Sequence, residues 1–247
     1  MSMEERTRPI RPTEDRRLLE APYPGPAPFV HTDPWRVLRI MGEFVTGFDE
    51  LAELGPAVTV FGSSRTTHDD PVYQRAVETT RMLGEAGFAI ITGGGPGIME
   101  AGNRGAVEAG VMSVGLGIEL PFEQKINDYV TLDLGFRYFF ARKTMFLKYA
   151  QAYLIFPGGW GTMDEMMEAL TLVQTDKIQH FPIILFGSEY WQGLLDWFRD
   201  RMLTEGKISP GDLDLFTVTD SPEEVVETVV TSFRECERRR KEMRGID

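Results

Sequence analysis

The stretch FAIITGGGPGIME, residues 88–100, decides the fold. Its apolar first part ends at Thr92, a glycine turn follows at 93–97, and the next residues resume with helical spacing. Short apolar runs bounded by glycine are typical of buried parallel strands, and a glycine turn that opens a helix is a common strand-to-helix connection in α/β proteins. The stretch therefore predicts a strand, a turn and a helix.

The same alternation of apolar runs and helical patterns continues on both sides of this unit. Strands that are apolar nearly throughout are expected when helices cover both faces of a sheet. We therefore predict an α/β fold with a doubly wound parallel sheet of the Rossmann-like class. The predicted strands are residues 57–62, 88–92, 111–118, 129–134, 151–156, 182–187 and 215–219, and the predicted helices are 34–54, 71–86, 97–109, 137–149, 162–175, 190–204 and 221–241.

The N-terminal residues differ in composition from the rest of the chain. Residues 1–33 mix arginine, acidic residues and proline, and end in APYPGPAPFVHTD. Closely spaced prolines exclude a regular helix or a central strand there. We predict a flexible N-terminal arm over residues 1–33 and a single Rossmann-like domain over residues 34–247.

Composition and charge exclude several functional classes. The formal net charge of -12 argues against binding to a nucleic acid polymer, which needs a basic surface. No apolar run reaches the roughly 18 residues of a membrane span, and the charged N-terminus lacks the apolar segment of a signal peptide. The single cysteine, Cys236, cannot form an internal disulfide. We expect a cytoplasmic protein with no membrane partner.

Glycine turns also follow two other predicted strands, at Gly62-Ser63 and at PGGWGT, residues 157–162. Ligands of open α/β sheets bind beyond the carboxyl ends of the strands, and glycine lets backbone amides approach an anion at a helix N-terminus. The turns together predict a phosphate site. Taken singly, each turn also fits a tight connection that needs glycine for structural reasons alone. Neither the P-loop nor the dinucleotide-binding signature is present.

The nonapeptide PGGWGTMDE, residues 157–165, fits the pattern P-G-G-x-G-T-x-x-E without a mismatch. With Gly62-Ser63, GGGPGIME and the pair Arg142-Lys143 in the same order, the chain resembles the Lonely Guy (LOG) family. The resemblance implies hydrolysis of the N-glycosidic bond of a cytokinin riboside or purine 5′-monophosphate such as AMP, releasing the free base and ribose 5-phosphate. It also implies a homo-oligomer, a dimer or a larger assembly such as a hexamer.

The resemblance places catalytic roles on Glu165 and Arg142. A glycosidic bond breaks through a state with positive charge on the ribose, which a carboxylate stabilises, and the arginine is expected to orient that carboxylate. Without the motif, Glu165 would be read as an acid that complements a helix dipole. The predicted substrate-binding residues are Ser63, Gly94, Gly95, Gly97, Lys143, Gly158, Gly159, Gly161 and Thr162.

A binding protein without catalysis is the main alternative to an enzyme. A non-catalytic carrier of a nucleotide or of the molybdenum cofactor would keep the glycine turns without needing Glu165. The three scattered histidines show no metal-ligand spacing, and nothing marks a Schiff-base lysine, so no metal or cofactor is expected. Candidates for the base pocket are Met99, Phe139, Met145 and Trp160.

Overall fold

The computed structural model describes residues 13–19, 32–120, 125–178 and 181–244. Within them, seven strands form one sheet in the order β4-β3-β2-β1-β5-β6-β7, and all neighbouring strands are parallel. The predicted parallel α/β sheet is thereby confirmed. The strands are β1 (Ala57–Phe61), β2 (Ala89–Thr92), β3 (Ser113–Ile118), β4 (Leu132–Phe136), β5 (Ala150–Ile155), β6 (Ile183–Phe186) and β7 (Thr217–Thr219).

Helices cover both faces of the sheet. They are α1 (Glu14–Leu19), α2 (Asp33–Glu50), α3 (Pro71–Glu85), α4 (Ile98–Glu108), α5 (Phe139–Tyr149), α6 (Trp160–Gln174), α7 (Ser188–Trp197) and α8 (Pro222–Arg244). Side chains of α3, α4 and α8 form one buried apolar cluster, and those of α5, α6 and α7 form another. The strands separate the two clusters, so the sheet is doubly wound.

Strand β1 shows why these sequences form buried central strands. Its alternate residues Ala57 and Phe61 join the cluster with α5 and α6, while Val58 and Val60 join the cluster with α3 and α4. Successive side chains of a strand point to opposite faces, so a strand covered on both faces is apolar nearly throughout. The exception in β1 is the buried Thr59, whose hydroxyl donates to the Phe146 carbonyl oxygen (3.2 Å). This accounts for the continuous apolar runs in the sequence.

The order of the strands locates the ligand crevice. From β1 the chain winds outward through β2, β3 and β4, and it then returns to the other side of β1 to form β5. The winding direction reverses between β1 and β5, and ligands of open α/β sheets bind at such a switch point, beyond the carboxyl ends of the strands. The turns after β1 and β5 therefore meet at one crevice.

Several elements differ by two or more residues from their predicted bounds, among them β4 and the helix after β6. β4 begins at Leu132 and not at residue 129, because the Val130 amide donates to the Asn127 carbonyl oxygen (3.3 Å) and the chain is still turning there. The predicted helix 190–204 is α7 followed by a π-helical segment, Phe198–Leu203. The pattern of apolar residues predicts the presence of a strand or helix well, but it predicts the first and last residues less well.

The described part of the N-terminal segment contains a helix, α1. Glu14 of this helix forms an ion pair with Arg39 of α2 (2.5 Å), and Leu18 packs against the apolar core. The rest of the predicted arm up to residue 31 lies outside the described residues. Over the described ranges, none of the helices combines the length and apolarity needed to cross a bilayer.

Candidate active site

A cleft of about 810 Å³ lies at the switch point, between the turns that follow β1, β2 and β5. It brings together most of the residues predicted from the sequence. Gly94, Gly97 and Lys143 belong to the same region but do not line it. The predicted residues that line the cleft are Ser63, Gly95, Arg142, Gly158, Gly159, Gly161, Thr162 and Glu165.

The turn after β5 opens directly into α6. The N-cap of this helix is Gly159, which has no side chain, and the Met163 amide makes the first helical hydrogen bond, to the Gly159 carbonyl oxygen (3.0 Å). The amides of residues 160–162 therefore have no partner within the helix. Unpaired amides and the helix dipole together form an anion site.

Gly158 permits the close approach on which this turn depends. A Cβ atom at this position would lie 2.1 Å from Oγ1 of Thr162, which is itself buried in the first turn of α6. The Gly158 carbonyl oxygen accepts a hydrogen bond from the hydroxyl of Tyr190 (2.6 Å). A side chain of α7 that also lines the cleft thus holds the turn through its carbonyl group.

The turn after β2 is arranged differently. The amide of Gly94 donates to Oγ1 of Thr92 (2.9 Å), and the Asn127 side chain donates to the carbonyl oxygens of Gly94 (3.1 Å) and Gly95 (3.0 Å). Gly97 packs against the turn after β1, where a Cβ would lie 2.4 Å from the Ser63 carbonyl oxygen. These contacts place Gly94 and Gly97 behind the cleft wall.

A buried asparagine network supports that wall and was missed in the sequence. Asn103, which is fully buried on α4, accepts from Oγ1 of Thr92 (2.6 Å) and from Nδ2 of Asn127 (2.9 Å). It also donates to Oγ of Ser113 (2.8 Å). The available signal was an asparagine on an otherwise apolar helix face, because a buried amide needs hydrogen-bond partners.

Glu165 is the buried carboxylate of the cleft, with an exposed fraction of only 7%. Burial raises its pKa from 4.5 to about 7, although the nearby positive charges of Lys143 and Arg142 oppose the rise. A carboxyl group with a pKa near neutral exchanges protons readily at physiological pH. This is the electrostatic setting expected of an acid–base group.

Lys143 connects α5 to α6 through three carboxylates. Its Nζ lies 2.8 Å from Asp164, 2.6 Å from Glu168 and 3.8 Å from Glu165. Burial opposes the charged form, but the hydrogen bonds to Asp164 and Glu168 raise the pKa of Lys143 above its ordinary value. This network favours a role in holding Glu165 over direct contact with a ligand.

Arg142 borders the cleft without a polar partner. Its side chain makes no hydrogen bond or ion pair within the described part of the chain, Nε is buried, and the guanidinium lies 5.0 Å from the centre of the Phe146 ring. Burial lowers its pKa to about 10, so the group remains charged at neutral pH. The predicted orienting contact with Glu165 is absent between these two described residues, because α5 turns Lys143 toward α6 instead.

Apolar side chains line the end of the cleft near β3. Met99 and Phe139 line the cleft as predicted, together with Ile118 and Ile126, which the sequence interpretation missed. Trp160 stands at the rim with 92% of its surface exposed. Met145, the fourth predicted base-pocket residue, is fully buried in the core instead. The apolar part of the cleft therefore lies between the end of β3 and the start of α5.

Further polar residues of the cleft were missed, among them Arg65 and Tyr190. Arg65 follows the turn after β1, is exposed, and lines the cleft, as does Tyr190 of α7. Arg65 could have been found from its place directly after the Gly62-Ser63 turn. Among the histidines, His68 pairs with Glu100 (2.9 Å), while His31 and His180 lie outside the described residues.

Comparison with solved structures identifies similar folds. The structural genomics target TM1055 has a TM-score of 0.55 and 24% identity, covering 71% of this chain and 99% of that one. A molybdenum cofactor binding protein from Rippkaea orientalis has a TM-score of 0.51 and 19% identity, covering 71% of this chain and 94% of that one. Likeness at these identities shows the fold alone.

Comparison of sequences identifies the family. The model described as "Possible lysine decarboxylase" matches residues 99–229, more than half of the chain. The rice (Oryza sativa subsp. japonica) "Probable cytokinin riboside 5′-monophosphate phosphoribohydrolase LOGL3" is 25% identical over 66% of this chain and 76% of its own length. Cytokinin riboside 5′-monophosphate phosphoribohydrolase LOG1 of Arabidopsis thaliana is 35% identical, over 34% of this chain and 39% of its own length. The chain therefore belongs to the family described as "Possible lysine decarboxylase", which is the family of the LOG proteins.

Proposed function

We propose that the cleft binds a nucleoside 5′-monophosphate and hydrolyses its N-glycosidic bond, releasing the free base and ribose 5-phosphate. The single observation that carries the proposal is the setting of Glu165: a buried carboxylate with a pKa near 7, five residues into a helix whose first amides find no acceptor among the described residues. An anion site and an acid–base group lie side by side. Their proximity suits a substrate that carries phosphate near its reacting atom.

The phosphate is proposed to bind at the start of α6. The amides of Gly161 and Thr162 can donate to its oxygens, and the helix dipole adds about half a positive charge there. Arg65 and Arg142, the two arginines that line the cleft, provide charge-assisted donors. A few such groups bind a single phosphate without a basic protein surface, which agrees with the net charge of -12.

The chemistry follows from the placement of Glu165. As the bond between the ribose C1′ and the base nitrogen breaks, positive charge develops on the ribose and the negative carboxylate stabilises it. A water molecule forms the new C1′–O bond and gives a proton to Glu165. Glu165 then passes this proton to the departing base nitrogen, which regenerates the carboxylate. Arg142 is proposed to contact the substrate, and Lys143 to hold Glu165.

The residues fit lysine decarboxylation poorly. A Schiff-base lysine needs a lowered pKa, because the neutral amine is the nucleophile. Lys143, beside the cleft, has a raised pKa and is held by three carboxylates, and no lysine lines the cleft within the described ranges. A carrier function without catalysis would leave unexplained a buried carboxylate that repels an anionic ligand.

The base is proposed to lie between β3 and α5, against Met99, Ile118 and Phe139. This apolar surface can accommodate a flat purine ring. The names of the curated relatives support a cytokinin nucleotide, and a plain purine nucleotide such as AMP is the other candidate for the same surface. The kcat/KM values for base release from AMP and from a cytokinin riboside 5′-monophosphate distinguish the two candidates.

We further propose a cytoplasmic homo-oligomer, a dimer or a larger assembly. Support comes from apolar side chains that remain on the surface of α2, including Met41 (56% exposed) and Val45 (67% exposed), and from Phe139 and Phe140 at the start of α5. Contiguous apolar surface favours association. A monomer mass of 28.0 kDa by light scattering at micromolar concentration would contradict this assembly.

The proposed function is tested by incubating the protein with a panel of nucleoside 5′-monophosphates, including AMP and a cytokinin riboside 5′-monophosphate, and quantifying free base by chromatography. We expect base and ribose 5-phosphate to appear in equal amounts. Glu165→Gln is the matched control, because it keeps the size of the side chain and removes its charge. Binding of the monophosphates without base release by the wild-type protein would favour the carrier alternative.

A further inference from the structure

The helix that carries Arg142 and Lys143 receives no cap from its own sequence. α5 begins at Phe139, and the side chain of its N-cap residue, Tyr138, makes no capping hydrogen bond. The first amides of any helix lack partners within the helix, and leaving them buried and unpaired is costly. Another part of the chain must therefore hold this helix end.

Two carboxylates from the N-terminal helices occupy that position. Glu43 of α2 accepts hydrogen bonds from the amides of Arg137 (3.0 Å) and Tyr138 (3.3 Å), one on each carboxylate oxygen. Asp15 of α1 accepts from the amide of Phe139 (3.1 Å). Three consecutive amides are thus satisfied by acids that lie 94 to 124 residues away in the sequence. Negative charge there also complements the dipole of α5.

Both capping residues are fixed in place. Glu43 is buried, with an exposed fraction of 8%. Next to Asp15, Glu14 pairs with Arg39 of α2 (2.5 Å), and its amide donates to Glu119 at the end of β3 (3.2 Å). The caps therefore belong to an ion-paired unit of α1, α2 and the sheet.

Arg142 contacts two of the residues whose amides are capped, Tyr138 and Phe139. The Arg142 amide donates to the carbonyl oxygen of Tyr138 (3.2 Å), and its guanidinium carbon lies 6.0 Å from the centre of the Phe139 ring. Phe139 itself lines the cleft. A shift of the start of α5 would move both the arginine and one wall of the cleft.

We propose that Glu43 and Asp15 are positioning residues, which fix the start of α5 and thereby place Arg142 in the cleft. The inference rests on the proposed function for its catalytic consequence only. Both residues precede residue 99, where the match to the family begins. Residues that precede the part of the chain matched by the family model are thus inferred to position a residue of the cleft.

The test compares Glu43→Gln, which leaves one acceptor oxygen for two amides, Asp15→Ala, which removes the acceptor, and the double variant with Glu50→Gln, an exposed acid on the same helix α2. Hydrogen–deuterium exchange reports on the amides of residues 137–142, and base release from AMP gives kcat and KM. We expect exchange at the start of α5 to rise about 5-fold for each lost cap. We expect kcat to fall about 10-fold with KM within about 3-fold, since a displacement of 1 Å can cost about 100-fold.

The outcomes are distinguishable. Unchanged exchange at residues 137–142 in the double variant would overturn the inference. So would a loss of kcat accompanied by faster exchange throughout β1 and β5, because that pattern indicates general destabilisation. Asp15→Ala keeps the test valid if Glu43→Gln fails to fold, since Asp15 is only partly buried. If the wild type releases no base from any monophosphate, the proposed function fails, and the exchange data still decide the capping.

Discussion

The two glycine turns of the cleft look alike in sequence and differ in structure. Each follows a central parallel strand, opens a helix and is followed by a glutamate, Glu100 in one case and Glu165 in the other. In the turn at 93–97, side chains of Thr92 and Asn127 already bind the backbone. The turn at 158–161 leads into an uncapped helix whose first amides border the cleft.

The two glutamates show what this difference means for function. Glu100 contacts Nε2 of His68 (2.9 Å) and accepts a hydrogen bond from the hydroxyl of Tyr73 (3.3 Å). It does not line the cleft. Glu165 lines the cleft, is buried and has a pKa near 7. Glycine content alone therefore does not identify the anion site. The decisive features are which backbone amides remain unpaired and which carboxylate is buried beside them.

The largest effect is expected from Glu165 and Arg142, which do not contact each other but should act on the same bound substrate. Glu165→Gln removes the charge that stabilises the ribose, and Arg142→Gln removes a cleft donor, so each should lower kcat by roughly 10²–10⁴-fold. The double variant should lose less than the product of the two losses, because both groups act on one transition state. Steady-state base release from AMP measures all three.

Glu100→Gln is the matched control for this experiment, because it alters the glutamate after the other turn. Its kcat should stay within about 3-fold of wild type. Fully multiplicative losses in the double variant would show that Glu165 and Arg142 contribute independently. A near wild-type rate for Glu165→Gln would move the catalytic role to Asp164 or Glu168.

A glycine substitution in each turn should separate catalysis from stability. In Gly158→Ala, the new Cβ would meet Thr162 and displace the start of α6, so kcat/KM for AMP should fall about 100-fold. In Gly97→Ala, the Cβ would meet the Ser63 carbonyl at a φ of +69°, and unfolding free energy should fall by about 2 kcal/mol or more. Gly193→Ala, which meets no atom within 4 Å, is the control.

The pH dependence should report Glu165 together with the substrate phosphate, whose second pKa is about 6. Because the pKa of Glu165 is about 7 and the ionised form is the active one, kcat/KM should fall at least about 10-fold per pH unit below 7 and level off above it. The profile of Glu165→Gln should lose the step near pH 7 and keep only the ionisation of the phosphate. A wild-type profile that is flat from pH 5 to 8 would contradict the role of this carboxylate.

The same shift has a consequence for stability. A carboxyl whose folded pKa is raised from 4.5 to about 7 binds more protons when folded, so wild-type stability should fall as pH rises through this window. Relative to wild type, Glu165→Gln should therefore gain up to about 3 kcal/mol between pH 4.5 and pH 8. Chemical denaturation at the two pH values measures this difference.

The smallest effect is expected from Asn127→Ala, which loosens the turn at 93–97 without touching the anion site. The hydrogen bonds from its side chain to Gly94, Gly95 and Asn103 disappear, and so does the bond that it accepts from the Tyr129 amide. The Gly94 carbonyl keeps the backbone amide of residue 127 and Asn103 keeps Thr92, so mainly the Gly95 carbonyl loses its partner. Unfolding free energy should therefore fall by about 1–3 kcal/mol, while kcat/KM should fall less than 10-fold. A larger catalytic loss than in Gly158→Ala would reverse the comparison of the two turns.

Much of the fold could be predicted from the sequence, because apolar runs and glycine turns reflect the burial of central strands. The strands 57–62 and 151–156 were placed to within one residue at each end. The boundary of β4 was missed, because Tyr129 and Val130 are apolar in sequence but lie in a turn set by Asn127. Asn127 is itself held by hydrogen bonds to Gly94 and Gly95, 33 and 32 residues away, and such long-range bonds leave no local pattern.

The candidate site was predicted less completely. The motif pointed to Arg142 and Glu165, but it could not show that Lys143 and not Arg142 faces the carboxylates of α6. The contribution of Glu43 and Asp15 was also invisible, since both act on amides far away in the chain. The partners of a helix end depend on tertiary packing, which no short motif encodes.

The measurement that tests the central claim most directly compares AMP with adenosine as substrates, following the release of adenine. If the amides at the start of α6 hold the 5′-phosphate during the reaction, kcat/KM for AMP should exceed that for adenosine by at least about 100-fold, since charge-assisted hydrogen bonds contribute several kcal/mol. Equal kcat/KM values for the two compounds, or no adenine released from AMP, would contradict the account.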